Sequence, residues 1–254
     1  MKLITTSWDD GHLLDFKLAE LLAKYNLPAT FYIPQSNAER PVMGEKDIKV
    51  LSQSFEIGGH TLHHVRLFSR NKEQVRDEVK GCYDWLSKLL GEAPASFCFP
   101  GGAYNEAALQ IVFKAGFTVA RTTELFTTAS YKQNAATATT LQAYPHTGFT
   151  YTKHLVKRRR WPTLLHWIKN GRPTDLIGLT ESYLERINRD GGCFHLWGHS
   201  WEIEKYNLWK TVETLFKILA DRSGFTYVQN RELAAPGATP MQDRFQTPKK
   251  VRNE

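Results

Sequence analysis

Ile4-Thr5-Thr6-Ser7-Trp8-Asp9-Asp10-Gly11-His12 is the stretch on which the fold reading turns. Lys2 to Trp8 are mostly apolar or β-branched and include no turn former, the pattern of a short buried strand. Asp9 and Asp10, at its end, repel each other, and burying either carboxylate unpaired is costly. Gly11 ends the strand and an apolar-periodic helix follows almost at once. A strand end that opens into a loop before a helix is where α/β proteins gather catalytic groups. A plainer arrangement also fits, with one Asp capping the helix and the other solvated.

Outward from this stretch, Leu14, Leu18, Leu21, Leu22 and Tyr25 predict a half-buried helix over 12–25, stopped at Pro28. A strand at 29–34, a short helix near 45–53 and a strand at 55–60 come next. A helix over 71–90, closed by Gly91, then leads to a strand at 96–100, a helix over 105–115 and a strand at 117–123. This alternation predicts an α/β fold with a parallel sheet covered by helices. Beyond it, 137–143 reads as a strand. Residues 153–169 and 175–189 read as helices broken by Gly171 and Pro173, 193–197 as a strand, 205–221 as a helix and 226–228 as a last strand. We read 1–234 as one barrel-like domain with an elaboration at 127–190, and 235–254 as a flexible C-terminal tail.

The chain has 254 residues, with 33 Lys and Arg against 26 Asp and Glu, so its net charge is +7. A solvated basic surface accounts for this, and the run Lys157-Arg158-Arg159-Arg160-Trp161 is too short to signal nucleic acid by itself, so no nucleic-acid partner is expected. Three widely spaced cysteines, Cys82, Cys98 and Cys193, point to a reducing compartment or inert buried thiols. No leader pattern precedes the first strand and no apolar run reaches membrane-spanning length, so the expectation is cytoplasmic. The oligomeric state is not legible.

The second informative stretch is Gly58-Gly59-His60-Thr61-Leu62-His63-His64. On a helical turn, His60 and His64 would share a face and His63 would be rotated off it. Two imidazoles and a carboxylate from another strand end make a two-His-one-carboxylate site for a divalent cation. A lone His-x-x-x-His is more often chance. Three histidines in five residues beside a strand end, in a chain with Asp9-Asp10 at another, are harder to dismiss.

With both motifs in view, the sequence resembles the polysaccharide deacetylases of the NodB-homology group, carbohydrate esterase family four. That family carries Thr-Phe-Asp-Asp-Gly and His-(Ser/Thr)-x-x-His on successive strand ends, in the same order and about fifty residues apart. The resemblance covers roughly residues 1–125 and 190–230, and it implies a distorted (β/α) barrel of about seven βα units. It implies Asp9 as catalytic base and Asp10, His60 and His64 as ligands of a divalent metal, Zn²⁺ by default with Co²⁺ or another first-row ion also suited. The family's Arg-x-Pro-x-Gly motif is matched in part by Cys98-Phe99-Pro100-Gly101-Gly102. Pro100 and Gly102 fit, and the Gly101 backbone N–H falls where the family has its oxyanion donor. Cys98 replaces the Arg that orients the base, and Arg121 is the candidate to stand in for it.

The resemblance also implies a His that protonates the leaving amine, in Phe194-His195-Leu196-Trp197-Gly198-His199-Ser200-Trp201-Glu202. His199 is preferred, with His195 as a substrate contact supporting it or as a polar group of the core, and Trp197 and Trp201 are candidate walls of the sugar or acetyl pocket. The implied substrate is an N-acetylated sugar or glycan. Two alternatives stand beside it: an amidohydrolase of the same fold that opens a cyclic amide or ureide, and a noncatalytic glycan-binding domain.

Overall fold

The structure is a computed structural model that describes residues 1–133, 135–157, 161–169 and 174–234. The predicted tail over 235–254 lies outside the described residues, as do Gly171 and Pro173. The first half alternates as the sequence pattern requires. Strand β1 (Lys2–Asp9) leads to helix α1 (Asp15–Lys24), β2 (Ala29–Ile33), α2 (Glu45–Ser52), β3 (Glu56–Gly59), α3 (Lys72–Leu90), β4 (Ser96–Cys98), α4 (Glu106–Ala115) and β5 (Val119–Arg121). Helix α3 starts in a reciprocal cap between Asn71 and Gln74 and stops at Gly91, whose φ of 75° needs no Cβ. The second half supplies β6 (Ala136–Thr137), β7 (Leu141–Gln142), α5 (Gly148–Lys157), α6 (Trp161–Lys169), α7 (Leu176–Asp190), β8 (Gly192–Gly198), α8 (Ser200–Lys205), α9 (Trp209–Leu219) and β9 (Thr226–Tyr227).

Every ladder is parallel, in the order β6-β5-β4-β3-β2-β1-β8-β7, with β9 also paired to β1. The ends of this order are two parts of one segment. Residues 136–137 pair with β5 and residues 141–142 with β8, so the run 136–142 carries the sheet round from one side to the other. The result is a distorted (β/α) barrel. Part of the stretch read as an elaboration is therefore barrel wall.

Strand β1 sits at the centre and is buried on both faces. Its even residues face the helices; Trp8, for example, packs edge-on against Phe216 of α9. From Thr5 on, its odd residues make polar contacts with residues of other elements. Thr5 bonds Asn230, Ser7 bonds His195, and Asp9 pairs with Arg121. Nearby, Glu56 accepts from Thr30 at 2.6 Å and from Ser96 at 2.5 Å, and Asn230 donates to the Tyr32 hydroxyl at 2.7 Å. Buried polar groups are tolerable when paired in this way.

Three local expectations change. The turn at 60–64 is not helical: Thr61 and His64 have φ of 62° and 53°, and the Leu62 and His63 amides donate to Glu78 on α3 at 3.0 and 2.9 Å. Left-handed backbone at two non-glycine residues breaks the helical path. The predicted helix 153–169 is two helices, α5 and α6. The predicted helix 205–221 is the shorter α9, and a separate helix α8 precedes it, with Asn207 at φ 53° between the two.

Candidate active site

Asp9, His60, Cys98, Arg121 and His199 all lie at or just beyond the C-terminal ends of parallel strands, so five distant stretches of chain meet at one end of the barrel. Asp9 is the last residue of β1 and Asp10 follows it at φ 79°. That backbone conformation costs about 1–2 kcal/mol in a residue with a Cβ, and it turns adjacent carboxylates to different partners. Asp9 Oδ1 pairs with the Arg121 guanidinium, and Asp9 Oδ2 lies 3.7 Å from the Cys98 thiol. Arg121 is fully buried, with its guanidinium 5.0 Å from the ring centres of both Tyr32 and Trp197. Burial works against its charge, and Asp9 more than offsets this, so its pKa is raised.

Asp10 faces the imidazoles. Its Oδ2 accepts the Trp201 indole N–H at 2.8 Å, while Oδ1 lies 3.0 Å from His64 Nε2 and 3.7 Å from His60 Nε2. Burial alone would raise its pKa, but His64, His199 and His60 outweigh burial and hold it below the usual carboxylate range. His60 Nδ1 is 2.8 Å from the Cys98 carbonyl. A carbonyl can only accept, so Nδ1 carries the proton, and burial lowers the ring's pKa to about 4. His60 Nε2 therefore presents a lone pair toward Asp10 Oδ1, a buried oxygen with no hydrogen-bond partner.

Two acceptors facing each other inside a protein are unfavourable unless a cation lies between them. The ligand atoms of Asp10, His60 and His64 all lie within 4.8 Å of one another, so this donor set fits a divalent ion. Asp9, His60 and Cys98 are also that close, but burial pushes the Cys98 thiol well up, and a neutral thiol is a poor ligand. His63 is exposed and bonds Glu78 at 2.8 Å.

His199 follows β8. Its Nδ1 is 3.1 Å from Glu202, and its Nε2 is 4.0 Å from Asp10 Oδ2. Burial would lower its pKa, but the Glu202 hydrogen bond and the charges of Asp10 and Asp9 raise it. His195 lies elsewhere. It is buried with Nε2 2.8 Å from Ser7 Oγ, and burial and Arg121 depress its pKa well below the ordinary value. Alternation along an extended strand puts residues four apart on one face, but β8 ends at Gly198, so His199 leaves that line. Of the readings of His195, this placement matches the polar group of the barrel interior: the ring is buried and is not among the cleft-lining residues.

These groups open onto a cleft of about 290 Å³, lined by Asp9, Asp10, His60, His64, Gly101, Trp197, His199 and Trp201. Pro100 and Gly102 are buried behind Gly101 and do not line it. Gly102 has φ 69°, and a Cβ there would lie 2.0 Å from Thr123 Oγ1, so the turn beside the cleft requires glycine. The cleft wall also includes Arg40, Arg66, Gln142 and His146, which carry no motif signal in the sequence. Arg40 lies 3.7 Å over the Trp201 ring, so Trp201 links Arg40 to Asp10. Glu202 also takes the Gln142 amide at 2.9 Å. Its place in His-x-Trp-Glu was the one available hint of a role.

Comparison with known proteins gives a family match over the first half of the chain and fold matches over nearly all of it. Residues 1–120 match the polysaccharide deacetylase family model. A peptidoglycan-N-acetylglucosamine deacetylase of Bacillus cereus is 28% identical over 118 residues, 46% of this chain and 42% of that protein. A peptidoglycan deacetylase of Helicobacter pylori is 25% identical over 101 residues, 40% of this chain and 34% of that protein. The matched stretches thus span about half or less of these relatives. Among solved structures, a Mycobacterium smegmatis chain ascribed to the polysaccharide deacetylases superposes with a TM-score of 0.66 at 14% identity, covering 100% of this chain and 95% of that one. A family 4 acetyl xylan esterase from Clostridium thermocellum, in complex with a cobalt ion, gives 0.58 at 16% identity, with 91% and 90% covered. At these identities the structural likeness is one of fold.

Proposed function

From a chain whose first 120 residues match the polysaccharide deacetylase family model, we propose a metal-dependent hydrolase that removes N-acetyl groups from an amino sugar or glycan. The observation that carries this reading is the division of labour at the end of β1. Asp10 Oδ1 lies 3.0 and 3.7 Å from two imidazoles, and Asp9, one residue away, is paired with the buried Arg121. Asp10, His60 and His64 would hold the divalent ion, Zn²⁺ or Co²⁺, which supplies a Lewis acid for the acetyl carbonyl and for water.

The protein's own groups do the rest. Asp9 takes the proton from the attacking water, with Arg121 fixing the direction of its carboxylate. The Gly101 backbone N–H is the donor offered to the oxyanion. His199 keeps Nδ1 on Glu202 and delivers its Nε2 proton to the departing amine, and the raised pKa favours the protonated ring. Trp197 and Trp201 wall the cleft and exclude water from the reacting amide.

The test is acetate release from chitooligosaccharides and from UDP-N-acetylglucosamine across a panel of divalent metals. Turnover that Asp9→Asn abolishes while metal content stays intact supports the assignment. Glycan binding without turnover at any metal loading would replace it with a noncatalytic domain.

A further inference from the structure

The fifty residues from Leu125 to Thr174 contain no aspartate or glutamate and hold eight of the chain's 33 lysines and arginines. The rest of the chain is close to neutral, so the excess positive charge belongs to this stretch. It also carries five of the ten large apolar side chains that are exposed among the described residues. Phe149 and Val156 on α5, and Trp161, Leu165 and Ile168 on α6, are exposed, Phe149 by 77% and Leu165 by 58%.

The spacing makes two stripes. Phe149, Lys153 and Val156 fall at i, i+4 and i+7 along α5, and Trp161, Leu165 and Ile168 do the same along α6. Each helix already buries another side. Tyr151, Leu155 and Trp167 are in the core, with Tyr151 packed edge-on against Phe126 and Trp167. One apolar side of each helix therefore holds the fold together, and the second has no partner within the described chain. Lys153 and Lys169 are exposed beside it.

Large aromatic and aliphatic residues flanked by lysines on a surface helix, with no acid in the stretch, is the composition of a helix that lies in a membrane interface. We propose that the outer side of α5 and α6 docks on an anionic lipid surface. The apolar stripe enters the headgroup boundary and the basic residues meet the lipid charge. An apolar partner protein would account for the stripe but not for the acid-free basic stretch around it. Helix α5 begins two residues after His146, a cleft-wall residue, so docking holds the cleft close to the lipid headgroups. Binding is measured without turnover, so the proposal stands or fails independently of the hydrolytic reading.

The test is co-sedimentation of the full chain with phosphatidylglycerol/phosphatidylcholine vesicles and with phosphatidylcholine vesicles alone. We expect binding to the anionic vesicles only, at least about tenfold weaker when salt rises from about 0.1 to about 0.5 M. Phe149→Ser with Leu165→Ser, and separately Lys153→Glu with Lys169→Glu, should each lower it about tenfold or more while leaving the circular dichroism melt unchanged. No binding to anionic vesicles, or equal binding to neutral ones, overturns the proposal. So does a dimer in sedimentation velocity that the Phe149/Leu165 variant disperses, because a second copy would then cover the stripe.

Discussion

Replacing Arg121 by Met tests whether Asp9 and Arg121 act as one unit. Both groups are largely withdrawn from bulk solvent: Arg121 is fully buried and Asp9, at the floor of the cleft, is 2% exposed. Removing the guanidinium leaves a buried carboxylate whose remaining side-chain contact is the Cys98 thiol at 3.7 Å. Breaking a buried pair from one side costs about 3–5 kcal/mol. Asp9→Ala makes the mirror-image defect, a buried cation whose Nε already has no hydrogen-bond partner, and should cost a similar amount. The double variant removes both charges. Its residual cost is the lost packing of Arg121 against Tyr32 and Trp197 plus a small cavity, about 2–4 kcal/mol. The three variants, measured by urea unfolding and linear extrapolation, should therefore give a coupling energy of at least about 2 kcal/mol. If the single costs add to within about 0.5 kcal/mol, the pair is not the coupled unit described above, and the case for Arg121 as the group that orients the base falls with it.

The site makes three more measurable demands. Dialysed protein should bind about one divalent ion per chain, and at a hundredfold excess over Kd the ion should add about 2.7 kcal/mol to stability. Asp10→Ala or His64→Ala should abolish both effects, and undiminished metal in either variant would displace the ligand set. His199→Ala should lower acetate release by about 10²–10⁴ with its melting temperature nearly unchanged. His195→Ala should instead destabilise, through loss of the Ser7 bond, and wild-type turnover in His199→Ala would exclude it as the acid. Glu202→Gln removes a carboxylate that raises the His199 pKa. His199 donates only while protonated, below its pKa, so the alkaline limb of the rate–pH profile should move to lower pH. An unmoved limb means that another group sets it.

Much of this molecule is legible without coordinates because it is local. The apolar run before Asp9, the caps of α3 and the alternation up to β5 are short-range patterns, and hydrogen-bond geometry and side-chain burial convert them directly into strands and helices. Asp9-Asp10 and His60-x-x-x-His64 were visible as chemistry because so many ionisable groups at strand ends have few structural uses. The reasoning failed where backbone conformation depends on distant partners. The loop at 60–64 looks like a helical turn by spacing, yet Glu78 on α3 holds its amides and it takes another path.

Tertiary structure alone decided the pairings. Arg121 and Asp9 are 112 residues apart, and they meet because β1 and β5 end at the same rim of a parallel barrel. The different placements of His195 and His199 likewise follow from the end of β8, which leaves one ring inside the wall and the other on the cleft. Residues 136–142 close the sheet only because both of its ends lie within reach of one short segment. A sequence carries the types of the reacting groups and their order; the distances between them follow from parallel strands whose ends converge.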